Sequence, residues 1–139
     1  MAGVRELNKY LKELSKEELI KEVGKLYDRF KLVKEYYNLE LGKDDGKLLE
    51  KYKKQMNKLF APKGNYINPD IKTCNSLVRE FASVSVYPTD IVELMLYKVE
   101  LCVYFLENWG IEFDNVTNAI ANTYPEVLDG IYKNSLEKK

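Results

Sequence analysis

PTDIVELMLYKVELCVYFLENW, Pro88 to Trp109, is the stretch that decides the fold. Between Ile91 and Trp109 the only charged positions are Glu93, Lys98, Glu100 and Glu107. A helix apolar on nearly every side belongs at the centre of a bundle, with other helices wrapped around it. Pro88-Thr89-Asp90 opens it, Asp90 and Glu93 stand at capping-box spacing, and Gly110 suits the left-handed residue that stops it.

Working outward, helical periodicity fills the rest of the chain. Leu7, Tyr10, Leu11 and Leu14 recur at i, i+3, i+4 and i+7, one face of a short first helix. Ser15-Lys16-Glu17-Glu18 reads as a capping box that restarts the chain. The stripe Leu19, Val23, Leu26/Tyr27, Phe30, Val33, Tyr37 and Leu41 then predicts one long second helix. Gly42 to Gly46 break it. A third helix turns Leu48, Leu49, Tyr52, Met56, Leu59 and Phe60 inward and ends at Pro62-Lys63-Gly64-Asn65. Asn68 as cap and Pro69 in the first turn start a fourth, burying Ile71, Cys74, Leu77, Val78 and Phe81. Ser83 to Tyr87, with no partner strand in sight, reads as a helix end and loop. The last segment carries Phe113, Val116, Ile120, Tyr124, Val127, Leu128 and Ile131. Pro125 within it predicts two helices or a sharp kink, and the tail from Asn134 is expected to fray.

The prediction is therefore all-α: one helical domain over 1–139, about six to seven antiparallel helices around the central helix at about 88–109. The length suits a single core. Seven glycines and four prolines are too few for a sandwich or barrel of short strands. No repeat or low-complexity stretch interrupts the chain, and the loops 42–46 and 61–69 are the candidates for functional connections. The longest apolar run, Leu101 to Leu106, is too short to span a bilayer, and the start of the chain is charged rather than signal-like. A cytoplasmic protein is expected, with Cys74 and Cys102 as reduced, buried thiols; a bridge between them would need their helices side by side.

Several strings read together carry a resemblance: Leu14 to Ile20 (LSKEELI), Lys34 to Tyr37 (KEYY), Leu48 to Lys54 (LLEKYKK), Phe60 to Gly64 (FAPKG) and Ile91 to Glu100 (IVELMLYKVE). In this order, over roughly residues 7 to 132, they resemble a family of short all-helical bacterial proteins of unknown function. The resemblance implies the helical fold and brings no catalytic residue, ligand or cofactor with it.

The chemistry is bounded first by what is missing. With no histidine, Ser-His-Asp and Cys-His catalysis, Glu-x-x-His di-iron pairs and imidazole zinc sites are excluded. Two isolated cysteines do not make a four-thiolate site, and neither glycine-rich phosphate fingerprint occurs. No cofactor or metal is implied.

Three patterns remain. Glu93, Glu100 and Glu107 recur every seven residues along one side of the central helix; buried, they would be carboxylates of raised pKa suited to cations or acid–base work. Seven residues is about 10 Å, too far for one metal, and a solvated seam is the favoured reading. Lys47, Lys51, Lys54 and Lys58 form a second stripe on the third helix, with Lys43 and Lys63 beyond its ends, a candidate patch for an anionic partner. Lysine alone reads bases poorly, so nucleic-acid binding there would be weak and sequence-blind, and a solvated helix face is again favoured. Eleven tyrosines against five phenylalanines suit half-buried or interface positions. Tyr36 and Tyr37, about 100° apart, cannot both face one core. Tyr66, Tyr87 and Trp109 near element ends are read as core plugs.

Net charge is zero but split: residues 1–64 hold 16 Lys/Arg against 11 Asp/Glu, and residues 65–139 hold 6 against 11. The split predicts halves, or copies, that attract one another, although exposed pairs are weak and screened. The leading functional expectation is a non-enzymatic protein-interaction module, self-association included. The alternative is a nonspecific nucleic-acid accessory protein using the lysine stripe. An enzyme working with carboxylates and tyrosine alone ranks last.

Overall fold

The computed structural model describes residues 3–44, 46–60, 69–109 and 114–137. The expectations placed on Pro62 to Asn65, Lys63, Tyr66, Asn68, Gly110 and Phe113, and on the side chain of Trp109, lie outside the described residues. Seven helices run in order: α1 (Val4–Lys12), α2 (Lys16–Arg29), α3 (Lys31–Glu40), α4 (Lys47–Lys58), α5 (Ile71–Val84), α6 (Pro88–Trp109) and α7 (Asp114–Glu137). No strand occurs among the described residues, so the all-helical reading holds.

The helix α6 is the hub the composition calls for. It packs against α4, α5 and α7, and α7 covers its length. Leu94, Val99, Leu101, Cys102 and Phe105 of α6 are buried. Leu94, Leu101, Cys102 and Phe105 share one core cluster with Tyr52, Met56 and Phe60 of the α4 segment, Cys74 and Phe81 of α5, and Val116 and Ala119 of α7. The Tyr52 ring lies 5.1 Å from that of Phe81, and Phe60 lies 6.4 Å from Phe105, tilted and edge-on geometries that aromatic pairs prefer.

Local chemistry sets most of the ends. The Ser15 hydroxyl accepts the Glu18 N–H at 3.2 Å, and the Glu18 carboxylate accepts the Ser15 N–H at 3.1 Å, the reciprocal box read from the sequence. Gly46, at φ 80°, takes the left-handed turn into α4, where the Asp44 carboxylate accepts the Leu48 N–H at 3.1 Å. The cap of α5 is Asp70, which accepts the Thr73 N–H at 3.0 Å; the helix starts two residues after Pro69 rather than at it. Pro88 opens α6, and Ser85 and Tyr87 bond to each other just before it in place of a box at Asp90 and Glu93.

Three expectations are corrected. The long second helix divides at Phe30, whose extended backbone ends α2 and begins α3. No glycine or proline marks this break. After it α3 buries Leu39 and Glu35, and half-buries Leu32 together with Val33 and Tyr37 of the expected stripe. Pro125 neither ends nor divides α7, which runs on through Asn134 to Glu137 where fraying was expected. Pro125 and Ala121 are both exposed, so the carbonyl left without its usual amide lies on the solvated side, while Val127 beyond it stays buried. The third correction concerns the first two helices: no residue of α1 or α2 is buried.

The α6–α7 contact is close enough to need glycine. A Cβ at Gly130 would lie 2.5 Å from Val92 Cγ2, well inside van der Waals contact. Gly24 in α2 has nothing within 4 Å of the same position. Removing a helical glycine stabilises by about 1 kcal/mol through helix propensity, whereas overpacking a tight contact costs about 1–3 kcal/mol. Gly24→Ala is therefore expected to raise the unfolding midpoint and Gly130→Ala to lower it. The double variant Val92→Ala/Gly130→Ala should lose less than the two single losses added together. Denaturant titrations of the wild type, the three single variants and the double variant check both signs.

Candidate functional site

Four places in this fold gather chemistry-bearing side chains. The first is the lysine row on α4. Lys47, Lys51, Lys54 and Lys58 are all exposed and line one shallow depression together with Glu50. Lys51 is drawn to the other side, its Nζ 3.3 Å from the Glu35 carboxylate. Lys53, outside the row, reaches Glu93 on α6 at 2.9 Å, one ion pair between the basic and the acidic half of the chain. Lys43 is exposed beyond the row's start.

The second is the acidic seam. Glu93, Glu100 and Glu107 are all exposed, with Glu93 engaged by Lys53. They form a solvated edge of α6. Among the described residues no group of three His, Cys, Asp or Glu side chains is arranged to hold a metal ion.

The third is polar and buried, and sequence reasoning passed over it. Lys98 is 5% exposed although it carries an ammonium group. From the middle of α6 its Nζ donates to the Asn75 side-chain oxygen on α5 and, at 2.8 Å, to the Thr123 hydroxyl on α7. One lysine thus ties three helices. Burial lowers its pKa below 10.5, opposed by the nearby Cys102 and Cys74 sulfurs and by Glu126. Beside it opens a cavity of about 330 Å³, with Asn118, Asn122, Arg79 and Glu126 in its wall. A signal existed in the sequence: five residues on from Glu93, Lys98 lies about 140° round the helix from the acidic seam, on the side least available to water. Glu35 is the comparable case on α3. It is 8% exposed and held by Lys51, by Lys31 at 3.7 Å and by the Tyr52 hydroxyl at 3.3 Å.

The fourth is apolar. In α1 and α2, Val4, Leu7, Tyr10, Ile20, Val23 and Leu26 are exposed, as is Phe30 at the end of α2. Tyr10 donates to Glu22 at 3.3 Å, a tie between α1 and α2 that leaves the greasy side chains of both in water. Where α2 and α3 meet the end of α5, Val23, Leu26, Val33 and Tyr36 line a groove of about 360 Å³. At the far end of the chain, Tyr124, Leu128 and Ile131 of α7 recur at i, i+4 and i+7 and are likewise exposed, as is Tyr132. Of the adjacent pair, Tyr36 is the exposed ring and Tyr37 is half-buried; Tyr87 is exposed rather than a plug.

Cys74 and Cys102 are both free and buried, on helices that pack together. Burial pushes the Cys102 thiol from 9.0 to about 11 and, helped by Cys102, the Cys74 thiol from 9.0 to about 12. A folded pKa above the unfolded value contributes stability that is whole below pH 9 and is lost as pH rises toward the folded value, because the unfolded thiol ionises first. Lys98 works the other way: its folded pKa is lowered, so its penalty fades as pH rises toward 10.5. Comparison with a variant separates the two. Between pH 8 and pH 10 each thiol should subtract about 1.4 kcal/mol, so the fall in unfolding free energy over that interval is expected to be smaller in Cys102→Ala by that amount. Equal pH slopes for the two proteins would refute the assignment.

No curated protein and no solved structure matches the chain. A family model does, over residues 2–139, and its breadth covers every helix described above. By that match the chain belongs to a family of unknown function, DUF6155.

Proposed function

We propose that this protein is a non-enzymatic interaction module that associates with a second copy of itself. The observation that carries the reading is the apolar face of α1 and α2, in which no residue is buried although the hydrophobic spacing is that of a packed helix. Leu26 is 45% exposed, Phe30 48% and Ile20 63%. Side chains of this kind each stabilise a contact by about 1.5–3 kcal/mol when fully covered.

A second copy supplies a cover that matches in shape and charge. The outer face of α7, with Tyr124, Leu128 and Ile131, is an apolar helix stripe of the kind that fits the α2–α3 groove. Exposed Arg29 and Lys34 flank the groove, and exposed Glu126 flanks the stripe together with Asp129, which Lys133 pairs at 3.0 Å. Reciprocal exchange, each chain's α7 in the other's groove, gives a closed twofold pair and uses both surfaces at once. A cytoplasmic setting fits the two free thiols. Nucleic acid is the weaker reading, since Glu50 interrupts the lysine row and Glu35 engages Lys51.

Light scattering at about 100 µM, a concentration that populates even weak pairs, should give twice the 16.3 kDa chain mass. Leu26→Asp and Ile131→Asp are each expected to give monomers. Mixed together they should recover pairs, because an intact groove of one meets an intact α7 of the other. A monomeric wild type, or variants that remain paired, would overturn the proposal.

A further inference from the structure

A buried ammonium held only by neutral oxygens is an unusual arrangement, since a lysine taken out of water normally acquires a carboxylate partner. Among the described residues, no carboxylate oxygen lies within ion-pair distance of Lys98. Asn75 and Thr123 accept two of its three N–H donors. The positive charge stands in the wall of a cavity of about 330 Å³, at the lower end of the range for small-molecule sites.

We propose that this cavity binds a small organic monocarboxylate, its carboxylate paired with Lys98 and its polar substituents hydrogen-bonded by Asn118 and Asn122. The charge of the lining selects that class. Lys98 and Arg79 are positive and Glu126 is negative, which leaves one unit of positive charge for the ligand to match. A dianion such as phosphate would bring surplus negative charge toward Glu126. Asn118 and Asn122 sit one turn apart on α7, and each amide both donates and accepts, which suits hydroxyl or amino substituents on the carboxylate's carbon chain. Three helices, α5, α6 and α7, build the walls, with buried Lys98 and Thr123 at the floor and exposed Arg79, Asn118, Asn122 and Glu126 around an open rim. The ligand's charge would also supply the counter-ion that Lys98 lacks, so binding and stability are coupled.

Thermal unfolding of the full chain tests this with sodium glycerate and sodium lactate as probes and with chloride and inorganic phosphate as controls, all at equal ionic strength. A carboxylate at tenfold its Kd is expected to raise Tm by about 3–5 °C, saturably, with chloride inert and phosphate weaker. Lys98→Met should abolish the rise. Asn122→Leu, at an exposed position beside the lysine, should reduce it several-fold, and this variant carries the test if Lys98→Met does not fold. The proposal is overturned if neither carboxylate raises Tm, if phosphate matches or exceeds them, or if the rise survives in the variants.

Discussion

Burial of α6 between α4, α5 and α7 is the constraint on which the other contacts rest. Leu94, Cys102 and Phe105 sit at or near zero exposure on one helix, and removing water from that much apolar surface is the dominant favourable term in the fold. Glu93, Glu100 and Glu107 reach solvent along one side of α6, with Val103 and Tyr104 exposed beside them. Everything packed on α6 must therefore come close, and α7 comes closest, at Gly130 against Val92. Residue 92 facing 130, and 98 facing 123, fix the two helices as antiparallel neighbours in one register. That register sets Lys98 opposite Thr123 and opens the amide-lined cavity at the α5–α7 junction.

The buried polar groups follow a common logic with different outcomes. Glu35 is taken from water but receives two lysines and a tyrosine hydroxyl, so its charge is matched within the chain. Burial and the neighbouring Glu35 together raise the Tyr52 hydroxyl's pKa, which keeps it a proton donor to that carboxylate. Lys98 donates hydrogen bonds to neutral oxygens and, among the described residues, has no carboxylate within ion-pair distance. Satisfied donors make it tolerable, and the missing counter-charge is what gives the cavity its selectivity. The same side chain is at once a tie between three helices and the strongest polar feature of the interior.

At the other end of the chain the balance is reversed. The α1–α2 segment has a capping box at the start of α2 and a regular apolar stripe, yet it contributes nothing buried to the core. Hydrophobic periodicity reports that a helix has a greasy face; it does not report whether that face is covered by its own chain. The break at Phe30 is the physical reason: it lets α3 turn Leu39 and Glu35 toward the body while α2 keeps Val23 and Leu26 outside.

The sequence by itself determined the helical class, the hub at 88–109, the capping box at Ser15 and the inward residues of α4, because these depend on spacing within one helix and on chemistry within one turn. It also excluded imidazole chemistry outright, since composition needs no fold. The lysine and glutamate rows were legible as rows, and Glu50 and Lys53 could be placed beside them, but Lys63 of the lysine patch lies outside the described residues. Only the tertiary structure decided the division at Phe30, the passage of α7 through Pro125, the exposure of α1 and α2, and the meeting of Lys98 with Asn75 and Thr123. Each of these is set by what a neighbouring helix does across a gap of twenty or more residues, and no local rule of propensity or period carries that information.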